Sequence, residues 1–184
     1  INGPQTSYEM LGGNVDGVAR QYAVWQAESL VLNPDELGDL EAATLTCAGL
    51  TSWSALTAFR PTRQGEWILA HGTGGVSIAA LQFAHAMGCK VAITSSSDRK
   101  LARAKSLGAD LTVNYKTTPN WADAIRGAIG GNKIANVIDT VGAVQFDDNA
   151  SLMADGGQLS AIGMLGSDFS WSVPNPTVTL APIS

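Results

Sequence analysis

The chain is poor in the residues that staple or bridge small proteins. Its 184 residues hold two cysteines, Cys47 and Cys89, and two histidines, His71 and His85. Two thiols in apolar surroundings, without C-x-x-C spacing, exclude a disulfide-dense scaffold and predict reduced thiols in the cytoplasm. Basic residues are also scarce: 11 Lys and Arg face 16 Asp and Glu, for a net charge of −5. No Lys/Arg run is present, and an acidic surface repels phosphate backbones, so no nucleic-acid partner is expected. No apolar run approaches the roughly 18 residues of a membrane span, so no membrane partner is expected either. Internal repeats and low-complexity stretches are missing. What remains is 45% hydrophobic and 15% charged residues. That composition builds one ordinary globular core with room for a short appendage. The chain opens on Ile1 and closes on an apolar run from Thr177 to Ile183, which predicts a piece of a longer protein, incomplete at its C-terminal end.

One stretch organises the rest. A short apolar run, Trp67 to Ala70, reads as a buried strand, and Gly72, Gly74 and Gly75 then interrupt it. An Ala- and Leu-rich helix from Gly75 to Met87 follows and ends before Gly88, and Cys89 to Thr94 reads as the next strand. Strand, Gly-rich turn, helix and strand in this order form a dinucleotide-binding unit. Gly72 permits the tight turn, and Gly74 lets a pyrophosphate approach the backbone. Thr73, Gly75 and Val76 complete the turn, and the free N–H groups of the helix start face the phosphates. The third glycine of G-x-G-x-x-G falls at Ser77, a small residue that close helix–strand packing tolerates.

The remaining pattern alternates strands and helices. Helices are predicted over Asp39–Cys47, ended by Gly49, and over Leu50–Phe59, ended at Arg60-Pro61. After the second strand come a helix over Arg99–Leu107, a strand over Leu111–Tyr115 and a helix over Pro119–Ile129 with proline in its first turn. A strand over Ile134–Asp139, a helix over Ala143–Met153 and a strand over Gln158–Met164 close the series. The expected fold class is therefore α/β, a Rossmann-type doubly wound parallel sheet spanning residues 34–184. Residues 1–33 differ: Leu11 to Val24 alternates loosely among turn glycines, and Ser29 to Leu32 reads as a short strand. This segment predicts a strand or two from a β-rich neighbour.

Four stretches carry a family resemblance: Glu41–Trp53, His71–Ser77, Lys100–Asp110 and Val137–Gly142. They resemble, in the same order, the medium-chain dehydrogenase/reductase superfamily, which includes zinc alcohol dehydrogenases and quinone oxidoreductases. The resemblance implies a GroES-like barrel, of which residues 1–33 are the remnant, joined to a Rossmann cofactor domain. It implies hydride transfer between NAD(P)H and a small-molecule alcohol, aldehyde or quinone. It places Thr51, and the loops bearing Val141, Ile162 and Gly163, near the nicotinamide end. Cys47 falls where zinc members carry one zinc ligand. The other ligand-bearing segments are absent, so zinc is not expected in this chain, and quinone reductase-like members lack it. The proton donor is unknown. A homodimer through the sheet edge, formed by the Thr177–Ile183 run, also follows from the resemblance.

Coenzyme choice rests on the end of the second strand. NAD-selective domains place an acidic residue there, whose carboxylate holds the ribose and repels a 2′-phosphate. Ser95 occupies that position, followed by Ser96, Ser97, Arg99 and Lys100. Hydroxyls and cations in one loop make a phosphate-binding set. In quinone reductase-like relatives a lysine matching Lys100 and a tyrosine matching Tyr115 contact the 2′-phosphate, so NADP(H) is favoured over NAD(H). The competing assignment has the serines cap a helix while Asp98 takes the ribose. A non-catalytic, redox-sensing dinucleotide module is the alternative function. A methyltransferase is disfavoured because it too calls for an acid at Ser95.

Overall fold

A parallel sheet with helices on both faces is the frame of the chain. The computed structural model describes residues 11–13, 15–163 and 179–182. It divides into two units, Ile1–Asp39 and Leu40–Ser184. The second holds six parallel strands: β1 (Trp67–Ala70), β2 (Lys90–Ser95), β3 (Leu111–Asn114), β4 (Ile134–Asp139), β5 (Met153–Ala161) and β6 (Thr179–Pro182), in the order β3-β2-β1-β4-β5-β6. This is the doubly wound order, with its reversal between β1 and β4. Connecting helices are α3 (Gly75–Ala86), α4 (Asp98–Ser106), α5 (Trp121–Ala128) and α6 (Phe146–Leu152), preceded by α1 (Asp39–Ala43) and α2 (Leu50–Thr57).

Alternating strand residues feed two cores. Ile68 and Ala70 of β1, with Val91 and Ile93 of β2, pack under Leu56, Leu81 and Ala104 of α2, α3 and α4. Leu69, Ala92 and Val137 face the other way, onto Trp121 and Ile125 of α5 and Leu152 of α6. Ile68 and Leu69 are both wholly buried, and burying each such side chain contributes about 1.5–3 kcal/mol. Two covered faces explain why β1, Trp67–Ala70, reads as a continuous apolar run rather than an alternating one.

Several expectations shift. Gly49 does not end a helix: its dihedrals are right-handed helical, and its N–H donates to Thr44 O at 3.3 Å. The chain runs from α1 through one π turn, Leu45–Gly49, into α2. Gly49 is buried, and a Cβ there would lie 3.1 Å from the Leu45 side chain, so close packing rather than a stop explains the glycine. Helix α5 starts at Trp121, with Asn120 as N-cap and Pro119 outside it. The helix expected over Ala143–Met153 is a short 3-10 turn, Ala143–Gln145, followed by α6. Strand β5 begins at Met153 rather than Gln158, because Ala154–Gly157 loops out of the β4 pairing and the ladder resumes at Gln158. The strand expected over Ser29–Leu32 is not formed. Ala27–Ser29 makes a 3-10 turn, and Leu11–Val15 makes one isolated bridge. Of the Thr177–Ile183 run, Thr179–Pro182 forms β6, the edge strand beside β5, and the rest lies outside the described residues.

Candidate functional site

The Gly-rich turn sits at the carboxyl end of β1, where the strand order reverses and parallel sheets open a crevice. Gly72 adopts φ +77°, a left-handed conformation that favours glycine. Gly74 is the N-cap of α3 and offers no side chain to the helix start. The first N–H groups of α3 therefore have no intrahelical acceptor, and they carry the positive end of the helix dipole. A Cβ on Gly74 would meet nothing within 4 Å, so the space above it is open. Gly75 is fixed from behind instead, since a Cβ there would lie 3.3 Å from Ala48 Cβ.

A cavity of about 710 Å³ opens at this turn. Its walls include Thr73, Gly74 and Gly75 of the turn, Thr44, Leu45, Ala48 and Gly49 around the π turn, and Arg99, Lys100 and Arg103 of α4. The ion pairs among the described residues are Arg20–Asp16, Arg60–Glu66 and Arg126–Asp123, so the three α4 cations have no carboxylate partner there. Arg103 was not singled out in the sequence. It stands one helical turn beyond Arg99 and Lys100, and that spacing was the available signal.

Ser95, at the end of β2, is buried, with its hydroxyl 3.1 Å from that of Thr73. Ser97 takes the N-cap position of α4 but makes no side-chain capping bond, and Ser96 is exposed. Asp98, the competing ribose acceptor, receives Asn114 Nδ2 at 2.7 Å and does not line the cavity. Tyr115 is half-exposed, and its backbone N–H donates to Ser95 O at 3.1 Å.

Val141, Ile162 and Gly163 gather at the carboxyl ends of β4 and β5. Asp139 Oδ1 accepts the N–H groups of Val141 and Gly142 at 2.8 and 2.9 Å. Asp139 O accepts those of Ile162 and Gly163 at 2.8 and 3.1 Å. Gly163 lies so close to the Thr140 backbone that a Cβ would collide with it. Like Tyr115 and the half-buried Thr51, these residues stand outside the cavity wall.

Behind the turn lies what the sequence did not reveal. His71 is wholly buried, with Nδ1 3.1 Å from Thr94 Oγ1 and Nε2 2.7 Å from Asn149 Oδ1. The Trp121 ring meets it edge-on at 5.1 Å. Burial pushes the imidazole below its ordinary value, although the Asn149 bond and the charges of Asp139 and Asp148 act the other way. Ser77, in the place of the third glycine, donates to His71 O at 2.5 Å, and Thr140 Oγ1 donates to the same oxygen at 2.9 Å. The serine therefore anchors the turn rather than merely fitting it.

Cys47 is exposed in the π turn. Among the described residues no group of three His, Cys, Asp or Glu side chains could hold a metal ion. No helix among the described residues is long and apolar enough to cross a membrane.

Residues 75–183 match the family model for zinc-binding dehydrogenases. The chain belongs to that family. More broadly it is a member of the medium-chain dehydrogenase/reductase superfamily, as the four motif stretches implied. A zinc-type alcohol dehydrogenase-like protein of Schizosaccharomyces pombe is 40% identical over 179 residues, covering 96% of this chain and 51% of that protein. A solved structure from Sinorhizobium meliloti, described as an alcohol dehydrogenase, matches with a TM-score of 0.88 and 34% identity over 97% of this chain and 53% of that one. Other solved relatives differ in coenzyme. One is an NAD-dependent alcohol dehydrogenase (TM-score 0.77, 35% identity, 88% of this chain, 48% of that one). Another is a mycobacterial protein solved with NADPH (TM-score 0.74, 30% identity, 83% of this chain, 48% of that one). The chain spans about half the length of the curated relatives it matches.

Proposed function

We propose that this chain is the coenzyme-binding half of an NADP(H)-dependent oxidoreductase acting on a small alcohol, aldehyde or quinone. The observation that carries this reading is the meeting of the Thr73–Gly75 turn and three carboxylate-free cations, Arg99, Lys100 and Arg103, in one cavity. The residues fit a phosphorylated dinucleotide. The α3 start offers N–H groups to the diphosphate, open space above Gly74 admits it, and the α4 cations suit a 2′-phosphate. The carboxylate that would hold a ribose diol and repel that phosphate is Asp98, and Asn114 already occupies it. When bound, the nicotinamide supplies the hydride. The chain's own residues bind and orient: Ser77 and Thr140 fix the His71 carbonyl beneath the turn, and Asp139 holds the loops of Val141 and Gly163.

On the same reading, residues 1–33 are the remnant of a GroES-like domain, β6 is the edge for a homodimer, and the free thiols Cys47 and Cys89 suit the cytoplasm. The test is a pair of dissociation constants, for NADPH and NADH, on the parent and on Lys100→Ala. Removing one charge-assisted contact at a surface site should weaken NADPH about tenfold and leave NADH within twofold. A parent that binds NADH as tightly as NADPH, or a variant that loses both equally, rules out NADP(H) selection by α4.

A further inference from the structure

The buried groups behind the turn form one chain of hydrogen bonds, and its two ends fix its direction. At one end, the backbone N–H of Gly72 can only donate, and it points to Thr94 Oγ1 at 3.4 Å. At the other end, Asn149 Nδ2, which can only donate, lies 3.4 Å from Asp139 Oδ2. Asn149 then presents Oδ1 to His71 Nε2 at 2.7 Å, so Nε2 carries the proton and Nδ1 is bare. Thr94, already accepting from Gly72, donates its hydroxyl to Nδ1 across 3.1 Å. Donation runs one way throughout, from Gly72 through Thr94, His71 and Asn149 to Asp139.

Each link belongs to a different part of the fold. Thr94 is on β2, Asn149 on α6, and Asp139 ends β4. Asp139 in turn holds the loop after β4 through Oδ1 and the loop after β5 through its carbonyl. His71, Thr94, Asn149 and Asp139 are all buried, and in such a site bond direction is costly to reverse.

We propose that His71, Thr94 and Asn149 are positioning residues that set the Gly72 peptide for coenzyme binding by locking it to the carboxylate holding the β4 and β5 loops. With the Gly72 N–H directed inward, the cradle presents the later N–H groups of the turn to the phosphates. The same lock ties the two ends of the cradle, so ligand bound at the turn stiffens the loops of Val141 and Gly163. The chain requires a neutral imidazole. An imidazolium would aim Nδ1–H at Thr94, whose own proton would then lose its buried acceptor. The charged groups facing the ring are Asp139 from β4 and Asp148 from α6, and α5 places the uncharged Trp121 ring against it. Burial outweighs the two acids.

This inference rests on the dinucleotide reading above, and the experiment separates the two. In ¹⁵N-histidine spectra of the unsubstituted chain, His71 should show protonated Nε2 and bare Nδ1 from pH 8 to 6, and saturating NADPH should shift its signal. Thr94→Val keeps the side-chain shape but strands both Nδ1 and the Gly72 N–H, and should weaken NADPH about tenfold. Thr94→Ser restores the hydroxyl and should bind within about twofold of the parent. A proton on Nδ1, or a folded Thr94→Val that binds like the parent, overturns the positioning role alone. A parent that binds neither NADPH nor NADH overturns both readings.

Discussion

The two sides of the Gly72–Val76 turn work by different physics. In front, three exposed cations of α4 border a cavity of about 710 Å³. Their contribution is Coulombic, adjustable and screened by salt. Behind, His71, Thr94, Asn149 and Asp139 are buried and joined by directional bonds. In that dry setting each group needs one particular partner, and a lost partner is not replaced by solvent. The front can therefore alter ligand preference by single substitutions, while the back holds the shape on which any ligand depends.

The strongest way to separate the two is Gly74→Val. The site has φ −82°, and no atom lies within 4 Å of the place a Cβ would take, so the fold should accept valine. The side chain would stand where the diphosphate must approach. NADPH and NADH should both weaken by about a hundredfold, near 2.8 kcal/mol, with an unchanged melting temperature. A variant that titrates like the parent by fluorescence places the coenzyme elsewhere.

A smaller effect comes from the back. A histidine whose folded-state value is depressed lets the unfolded chain take the proton first. Its stabilising contribution is therefore complete above about pH 6.5, the unperturbed value, and is lost as pH falls below it. Melting temperatures from pH 8 to 5 should decline over that window, and His71→Gln should flatten the decline. Glu66, held below its ordinary range mainly by its bond to Arg60, acts in the same direction but at lower pH. A slope unchanged by His71→Gln would mean that other groups carry it.

The smallest effect sharpens the front. Raising salt from 50 to 500 mM should narrow the NADPH-over-NADH ratio by roughly two- to threefold, because the discriminating contacts are exposed charges. A ratio indifferent to salt would move discrimination away from Arg99, Lys100 and Arg103.

Part of the front was legible in the sequence because it is local: Thr73, Gly74, Gly75, Arg99 and Lys100 line one cavity, while Arg103 and the π-turn wall beside them were not singled out. The turn, the cations and the strands on either side lie within one short stretch, and β1 and β4 have the predicted boundaries. The back was not, because its members are scattered and meet only through parallel register. His71 and Asn149 are 78 residues apart. One signal did exist: His71, Thr94 and Asp139 all stand at carboxyl ends of strands, and those ends converge on one edge of a parallel sheet. Glycine misled where its role was packing. Gly49, expected to end a helix, lies inside a helical run, where a Cβ would lie 3.1 Å from the Leu45 side chain. Ser77 could be recognised as small, but not as the donor to His71 O.

The π turn at Leu45–Gly49 makes chain length a local matter. Such a turn contains one residue more than an uninterrupted α-helix would use. Deleting a residue there would restore α-helical spacing and leave α2 on its present bearing. Deleting one inside α2 would swing the preceding helix by about 100°. The surplus residue sits in the wall that Thr44, Leu45, Ala48 and Gly49 give to the cavity, so a chain that gains or loses it would reshape that cavity while sparing the core.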